Sequence, residues 1–332
     1  MDAFQGLMSG FQVAFSLQGI LFVFIGVFVG TFIGMMPGLG PISAIAIMIP
    51  ITYSMDPTVA LVMMAGVYYG AIFGGSSSSI LLNAPGVAGT VATAFDGYPM
   101  AQQGKAGKAL AIAAIASFTG GTVSVILLML FTPILSAVAV SFGPAEYFAL
   151  MFMGLTAISS LSDGSTIKAF ISANLGFIVV TIGIDSQTGT SRFTFGNPNL
   201  LEGIDFLVIA LGLFALAEVS TLVLNRKDNS MSDNKEIGSL RLSKQDVKEM
   251  SGPMARQSFL GFLIGVLPGA GATIASFIAY ITEKKLAKNP EEFGKGSIKG
   301  LTAPETANNA ATGGAFVPDR KSTRLNSSHL LI

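Results

Sequence analysis

The sequence lacks cysteine and tryptophan, and its only histidine is His329. Without cysteine there is no disulfide, no thiolate metal site and no cysteine nucleophile. One histidine near the end of the chain leaves no basis for an imidazole metal site or a Ser–His catalytic pair. Charge is also scarce: 11% of the 332 residues are Asp, Glu, Lys or Arg, whereas a soluble domain has about 25%. The formal net charge is zero, which gives no indication of nucleic-acid binding.

Apolar residues are abundant instead, at 51% of the chain. Several apolar runs approach the ~20 residues that a helix needs to cross a bilayer, which argues against a very apolar soluble protein. Basic residues are sparse before Arg226, and the stretch 226–256 then carries seven of them. This distribution predicts an all-α polytopic membrane protein with one polar connection on the cytoplasmic side. The start of the chain has no basic n-region, so we interpret its first apolar run as a retained membrane segment.

The chain divides into four predicted parts. Residues 1–224 form a first transmembrane repeat with its following helices, and residues 225–258 form a cytoplasmic polar linker. Residues 259–318 begin a second repeat. Residues 319–332 are polar and basic, unlike the rest, and we expect them to be a non-native tail that takes no part in the fold.

The internal repeat is visible in two apolar segments, Gly30–Ile47 and Gly261–Ile278, which are identical at eight of eighteen aligned positions. Each contains a Pro-Gly-x-Gly core, at Pro37–Gly40 and Pro268–Gly271. Paired hydrophobic segments interrupted by Gly and Pro are the best sequence indication of a secondary-transporter site. They favour broken or re-entrant helices over tight turns between ordinary helices. The lysines between 284 and 299 favour an inverted repeat over a parallel one.

A candidate ligand-binding stretch lies at Gly70–Gly86, with the sequence GAIFGGSSSSILLNAPG. It carries no charge and little bulk, and it offers many hydroxyls and backbone N–H groups. We therefore predict a helix break that holds a polar ligand within the membrane. The alternative is that the small residues only allow close helix packing.

The second repeat continues into Ala303–Pro318, with the sequence APETANNAATGGAFVP. We expect Pro304 in a first helical turn, which would place Glu305 near a helix N-terminus. Glu305, Asn308, Asn309 and Thr312 recur at helical spacing, so one face could carry all four. That face could bind a cation or hydrogen-bond a carboxylate. The alternative is an ordinary polar surface helix.

Other functional classes fit less well. An ATP-driven pump would carry G-x-x-x-x-G-K-[ST] or depend on a partner for it, and the motif is absent. An intramembrane serine protease needs a base, and no histidine lies in an apolar run. No enzyme activity is therefore expected. An ion or carboxylate channel stays open, because broken helices also build selectivity filters.

In the two Pro-Gly-x-Gly cores, in GGSSSSILLNAPG and in APETANNAATGG, the chain resembles the large membrane subunit of the tripartite tricarboxylate transporters. The resemblance extends from about Phe11 to Pro318. It implies a multi-pass permease of the bacterial inner membrane that takes up citrate and related carboxylates with an ion gradient. A small membrane subunit and a periplasmic solute-binding protein would be its partners in the lipid bilayer. No cofactor is implied beyond a coupling cation, Na⁺ or H⁺, and members of this family continue past Pro318 with more spans.

A buried anion without lysine or arginine needs backbone N–H groups, hydroxyls and amides as partners. Glu305 is the candidate for ion coupling, and we predict no catalytic or metal-binding residue. The predicted substrate-binding residues are Gly38, Gly40, Gly74, Gly75, Ser76, Ser77, Ser78, Ser79, Asn83, Pro85, Gly86, Gly269, Gly271, Asn308, Asn309, Thr312, Gly313 and Gly314.

Overall fold

The computed structural model describes residues 3–36, 39–141, 166–185, 188–204, 237–266 and 271–315, with a few isolated positions between 145 and 220. Helices dominate this part of the chain: α1 (Ala3–Ala14), α2 (Leu17–Gly34), α3 (Gly40–Thr52), α4 (Pro57–Leu82), α5 (Val91–Met100), α6 (Ala106–Ser141), α7 (Thr166–Val180), α8 (Lys244–Val266), α9 (Gly271–Leu286) and α10 (Ile298–Gly314). Two short strands, β1 (Gly183–Ile184) and β2 (Ser191–Arg192), pair antiparallel.

Three segments are long and apolar enough to cross a membrane, namely Leu17–Gly34, Pro57–Leu82 and Ala88–Phe131. The third joins a short 3-10 turn, α5, a π-helical segment and the first part of α6. Many large apolar side chains on α2 and α6 are exposed, such as Phe28 at 67% and Phe118 at 75%, as expected for surfaces that face lipid rather than water. The predicted all-α polytopic membrane fold is confirmed.

Helices α2 and α4 pack backbone to backbone because glycines line their contact. A methyl group at Gly30 would overlap Val67, and one at Gly34 would overlap Ala71. On the other helix, a methyl group at Gly70 or Gly74 would overlap the backbone of α2. Small residues at such contacts are how membrane helices approach closely, since burial of apolar surface from lipid adds little.

The same contact recurs in the second segment of the repeat, between α8 and α10. Gly261, which aligns with Gly30, lies against Ala307, and Gly265, which aligns with Gly34, lies against Ala311. The last glycines of the two Pro-Gly-x-Gly cores also match in conformation. Gly40 has φ +60° at the start of α3 and Gly271 has φ +61° at the start of α9, a left-handed conformation that glycine adopts without strain.

Helices α4 and α10 run in opposite directions where they meet. Ser76 hydrogen-bonds to Glu305, and further along α4, Ile80 packs in one cluster with Leu301. Earlier in α4, Tyr69 lies beside Gly313. Ascending positions in α4 therefore meet descending positions in α10.

Ion pairs between side chains join two other pairs of helices. The Lys108 ammonium lies 2.8 Å from the Asp246 carboxylate, which links α6 to α8. The hydrogen bond from Lys108 is the main reason that the pKa of Asp246 lies below its ordinary value. Arg256 binds Glu283 through two hydrogen bonds of 2.9 and 2.7 Å, which link α8 to α9.

The structure differs from the sequence-based expectations at several places. The predicted break at Gly70–Gly86 comes late, because α4 continues through the serines to Leu82 and breaks only at Asn83. Pro304 is not in a first turn: α10 begins at Ile298, so Glu305 lies in the middle of the helix. Helix α8 extends from Lys244 to Val266, so the predicted boundary between the linker 225–258 and the second repeat falls inside one helix. The two Pro-Gly pairs, most of 205–236 and the tail 319–332 lie outside the described residues.

Candidate functional site

The candidate site is built around the carboxylate of Glu305, which is fully buried in α10. Its Oε2 atom accepts hydrogen bonds from Ser76 of α4 at 2.9 Å and from Ser117 of α6 at 3.0 Å. Its Oε1 atom accepts one from Thr93 of α5. Among the described residues Glu305 makes no salt bridge. The site is therefore an acidic group surrounded by hydroxyls from three other helices.

Close helix packing explains how these hydroxyls reach one carboxylate. Gly120 of α6 lies against the backbone of Thr306, so α6 and α10 touch one turn beyond Ser117. Gly97 of α5 lies against Leu301 of α10 and Ile80 of α4. Glycine at these crossings brings the helices close enough for short side chains such as serine and threonine to meet Glu305.

Asn308 is the second notable group, because it is 1% exposed and neither of its side-chain polar atoms has a hydrogen-bond partner among the residues that the structure describes. It faces Gly89, in the short turn that separates α4 from α5. The carbonyl oxygen of Gly89 accepts a hydrogen bond from Ser276 of α9 at 2.7 Å. A buried amide without partners costs free energy, so this side chain is a candidate for binding a polar ligand.

The neighbouring polar residues of α10 are satisfied within their own helix. Asn309 donates to the carbonyl of Glu305 at 3.0 Å, and Thr312 donates to the carbonyl of Asn308 at 2.9 Å. Glu305, Asn308, Asn309 and Thr312 are all at most 2% exposed. The predicted polar face is therefore present and buried rather than on the surface. Glu305 bonds to hydroxyls of other helices, whereas Asn308 has no partner among the described residues.

The serines of α4 mostly bond to their own helix too. Ser77 donates to Phe73, and Ser78 donates to Gly75. Ser79 reaches beyond the helix, to Thr90 at 3.0 Å, and Ser76 reaches Glu305. Of the four serines, Ser76 alone contacts the candidate site.

The predicted glycines take part in packing and turns. Gly74 lies against Thr31 and Met35, and Gly314 lies against Phe262 and Val266, at matching places in the two repeats. Asn83 ends α4 in the left-handed conformation, and Pro85 is buried just after it. Gly86 packs on Gly34 and Gly75, and Gly313 lies against Ser124 and Tyr69. Gly40 and Gly271 begin α3 and α9. Gly38 and Gly269 lie outside the described residues.

Sequence reasoning missed Thr93 and Ser117, which complete the surroundings of Glu305. A cavity of about 480 Å³ adjoins Ser117 and is lined mainly by apolar side chains of α6. The hydroxyl of Tyr69, which also lines this cavity, is buried and has no hydrogen-bond partner among the described residues. Single hydroxyls in apolar helices carry no signal that could have marked them.

Comparison with known proteins adds to this geometry. The model of the family described as "Tripartite tricarboxylate transporter TctA family" matches residues 20–319. The chain belongs to this family. Of the predicted tail 319–332, all residues after the first lie outside this match.

Two relatives come from Agrobacterium vitis. One, described as an uncharacterized 52.8 kDa protein in the TAR-I ttuC' 3'region, is 45% identical over 318 residues. This match covers 96% of the chain but 63% of that relative. The other, an uncharacterized protein in the TAR-II ttuC' 3'region, is 57% identical over 58 residues, which are 18% of the chain and 24% of that relative. No solved structure matches the chain.

Proposed function

We propose that this tripartite tricarboxylate transporter chain is part of a carrier that takes up tricarboxylates such as citrate across the bacterial inner membrane. A periplasmic solute-binding protein would deliver the substrate, a small membrane subunit would complete the complex, and an ion gradient would drive uptake. The observation that carries the proposal is Glu305, a buried carboxylate with three hydroxyl partners and no salt bridge among the described residues.

The chemistry of Glu305 supports ion coupling. An ionised carboxylate in a low-dielectric environment needs a cation beside it, or else it takes up a proton. Carboxylate and hydroxyl oxygens are hard ligands, which suit a small cation as well as a proton. Because Ser76, Thr93 and Ser117 belong to three different helices, occupancy of this site would influence how those helices sit against α10.

Asn308 and the break between α4 and α5 are the proposed substrate contacts. The amide of Asn308 has no partner within the described residues and lies against Gly89, where the chain is not α-helical. An amide N–H₂ group donates to a carboxylate oxygen, and broken helices offer backbone N–H groups to anions. Glu305 precedes Asn308 by about one helical turn, so ion and substrate would bind close together.

We also propose that the two repeats are inverted with respect to each other. The matching glycine contacts of α2–α4 and α8–α10 support the repeat, and the opposite directions of α4 and α10 support the inversion. In such a carrier the substrate site lies between the repeats and alternates between the two sides of the membrane.

The deciding experiment is uptake of labelled citrate by vesicles that contain the full-length transporter with its membrane and periplasmic partners. Initial rates are compared with and without a Na⁺ gradient, and with and without a pH gradient, for the unmodified protein and for Glu305→Gln. We expect one gradient to raise uptake by about tenfold or more and Glu305→Gln to abolish that stimulation. The control is Glu202→Gln, in an exposed turn after β2; this variant should keep the stimulation of uptake by the gradient. Gradient-stimulated uptake by Glu305→Gln would contradict the coupling role, and non-saturable uptake would favour a channel.

A further inference from the structure

Asp96 of α5 is the other fully buried carboxylate near α10. Its Oδ1 atom accepts three backbone N–H groups, from Gly294 at 2.9 Å, Gly296 at 2.8 Å and Ser297 at 2.6 Å. Its Oδ2 atom accepts the hydroxyl of Tyr280 in α9 at 3.0 Å. These bonds join the first half of the chain to the segment that leads into α10.

The backbone before α10 is shaped to receive this carboxylate. Gly294 has φ +83° and Gly296 has φ +96°, so their N–H groups converge on one point, as in an anion-binding nest. Ser297 is the N-cap of α10 and accepts a hydrogen bond from Gly300. Asp96 thus places a negative charge at the N-terminus of α10, where the helix dipole favours it. A methyl group at Gly300 would overlap Asp96, so the fit leaves no room for a larger residue.

Aromatic side chains enclose the carboxylate. The ring of Tyr280 packs edge-on against Phe95 at 5.3 Å and against Phe293 at 5.4 Å between ring centroids. Tyr280 and Phe293 are each 4% exposed. Water therefore has little access to the hydrogen bonds of Asp96, which makes them stronger and better defined in geometry.

Helix α5 binds α10 through two residues, Thr93 and Asp96, which are one turn apart on α5. Asp96 binds the start of α10, and Thr93, on the same side of α5, binds Glu305. Glu305 lies about two turns into the capped helix. The height and rotation of α10 relative to α5 are therefore set by Asp96, and with them the position of the Glu305 carboxylate among its hydroxyl partners.

From this geometry we propose that Asp96 is a positioning residue for the coupling-ion site at Glu305. This inference rests on the proposed function of Glu305. Asp96 does not touch the ion; it fixes α10 so that the hydroxyls of Ser76, Thr93 and Ser117 meet one carboxylate. Loss of its charge would loosen α10 and weaken ion binding more than it weakens the fold.

Glu283 provides a matched control for a merely structural role. It is also buried, at 1% exposed, and it also accepts several hydrogen bonds, two from Arg256 and one from Gln257. These bonds join α8 to α9 and do not involve α5 or the start of α10. Removing either carboxylate should cost stability, but only the removal of Asp96 should disturb the Glu305 site.

The first measurement is the cation concentration, or the pH, that gives half-maximal stimulation of citrate uptake by the full-length transporter. We expect Asp96→Asn to raise the half-saturating ion concentration by about tenfold, since three N–H groups lose a charged acceptor. Tyr280→Phe removes one hydrogen bond to Asp96 and keeps the charge of the carboxylate. It should therefore fold well and raise the half-saturating concentration by less. Glu283→Gln should lower the melting temperature and leave the value unchanged. Equal half-saturation in Asp96→Asn, Tyr280→Phe and the unmodified protein would overturn the inference.

A second measurement does not depend on transport. Because the chain has no cysteine, Ser117→Cys introduces a unique thiol beside Glu305. We expect its reaction with a small maleimide to be about tenfold faster when Asp96→Asn is also present, and unchanged when Glu283→Gln is present instead. An unchanged rate with Asp96→Asn would refute the positioning role. If Asp96→Asn speeds the maleimide reaction but no ion gradient stimulates uptake by the transporter, the positioning role is upheld and ion coupling at Glu305 is rejected.

Discussion

Two adjacent asparagines of α10 have different surroundings, which leads to a prediction at the scale of single residues. The amide of Asn308 has no partner in the described part of the chain, whereas Asn309 donates to the carbonyl of Glu305. If Asn308 binds a substrate carboxylate, Asn308→Ala should raise the KM for citrate uptake by about tenfold or more, because the lost hydrogen bond is made to a charged group.

The matched variant is Asn309→Ala, which loses only a bond within its own helix. We expect its KM to stay within about twofold of the unmodified value, and equilibrium binding of labelled citrate to the purified transporter to give the same ranking. A larger effect at Asn309 than at Asn308 would move the substrate site to the other side of α10.

Single residues also mark the limit of sequence reasoning. The face formed by Glu305, Asn308, Asn309 and Thr312 follows from helical spacing, and all four are buried as a group. Thr93 and Ser117 could not be found in this way, since they lie 212 and 188 positions from Glu305 and meet it only through helix crossings. Asp96 shows the same limit, since the glycine and proline at positions 97 and 99 are typical of a loop, yet it lies within α5.

At the scale of helices, the contact between α2 and α4 depends on glycine. A methyl group at Gly70 would overlap backbone atoms of Val27 and Thr31, which cannot move aside as a flexible side chain can. We therefore expect Gly70→Ala to lower stability by about 1–3 kcal/mol, measured as a lower apparent melting temperature of the purified protein in detergent.

Gly176 of α7 is the control for this substitution. It is also a helical glycine, but no atom of the described residues lies within 4 Å of the place where a methyl group would be added. Gly176→Ala should leave the melting temperature unchanged or raise it, since alanine favours a helix over glycine by about 1 kcal/mol. Equal melting temperatures for Gly70→Ala and the unmodified protein would mean that α2 and α4 do not pack as described.

The helices were easier to predict than their ends. Length and hydrophobicity suffice to identify membrane helices in a sequence, and the described part of the chain has three helical segments that meet both conditions. The serines at 76–79 were expected in a break, yet α4 continues through them. Ser77 and Ser78 donate to carbonyls of their own helix, so their hydroxyls are satisfied without leaving it. Composition alone does not distinguish such serines from ligand-binding ones.

At the scale of the whole molecule, the proposed inversion of the repeat predicts where matching loops lie. The turn after α3 contains Ser54, and the basic segment after α9 contains Lys288; both are exposed. These segments follow equivalent helices of the two repeats. If the repeats are inverted, the two segments lie on opposite sides of the membrane, and the positive-inside rule places Lys288 in the cytoplasm.

Single-cysteine labelling tests this arrangement without any transport assay, since these 332 residues contain no cysteine and a label on them therefore reports the introduced position. We expect a membrane-impermeant maleimide to label Ser54→Cys in intact spheroplasts and Lys288→Cys only in inside-out vesicles. We expect both exposed positions to tolerate the change, because the side chain of Ser54 bonds only to Ile51 of its own turn and that of Lys288 makes no hydrogen bond among the described residues. Labelling of both from the same side would make the repeats parallel. In that case α4 and α10 could not meet in opposite directions, and the site between them at Glu305 would have to be formed in another way.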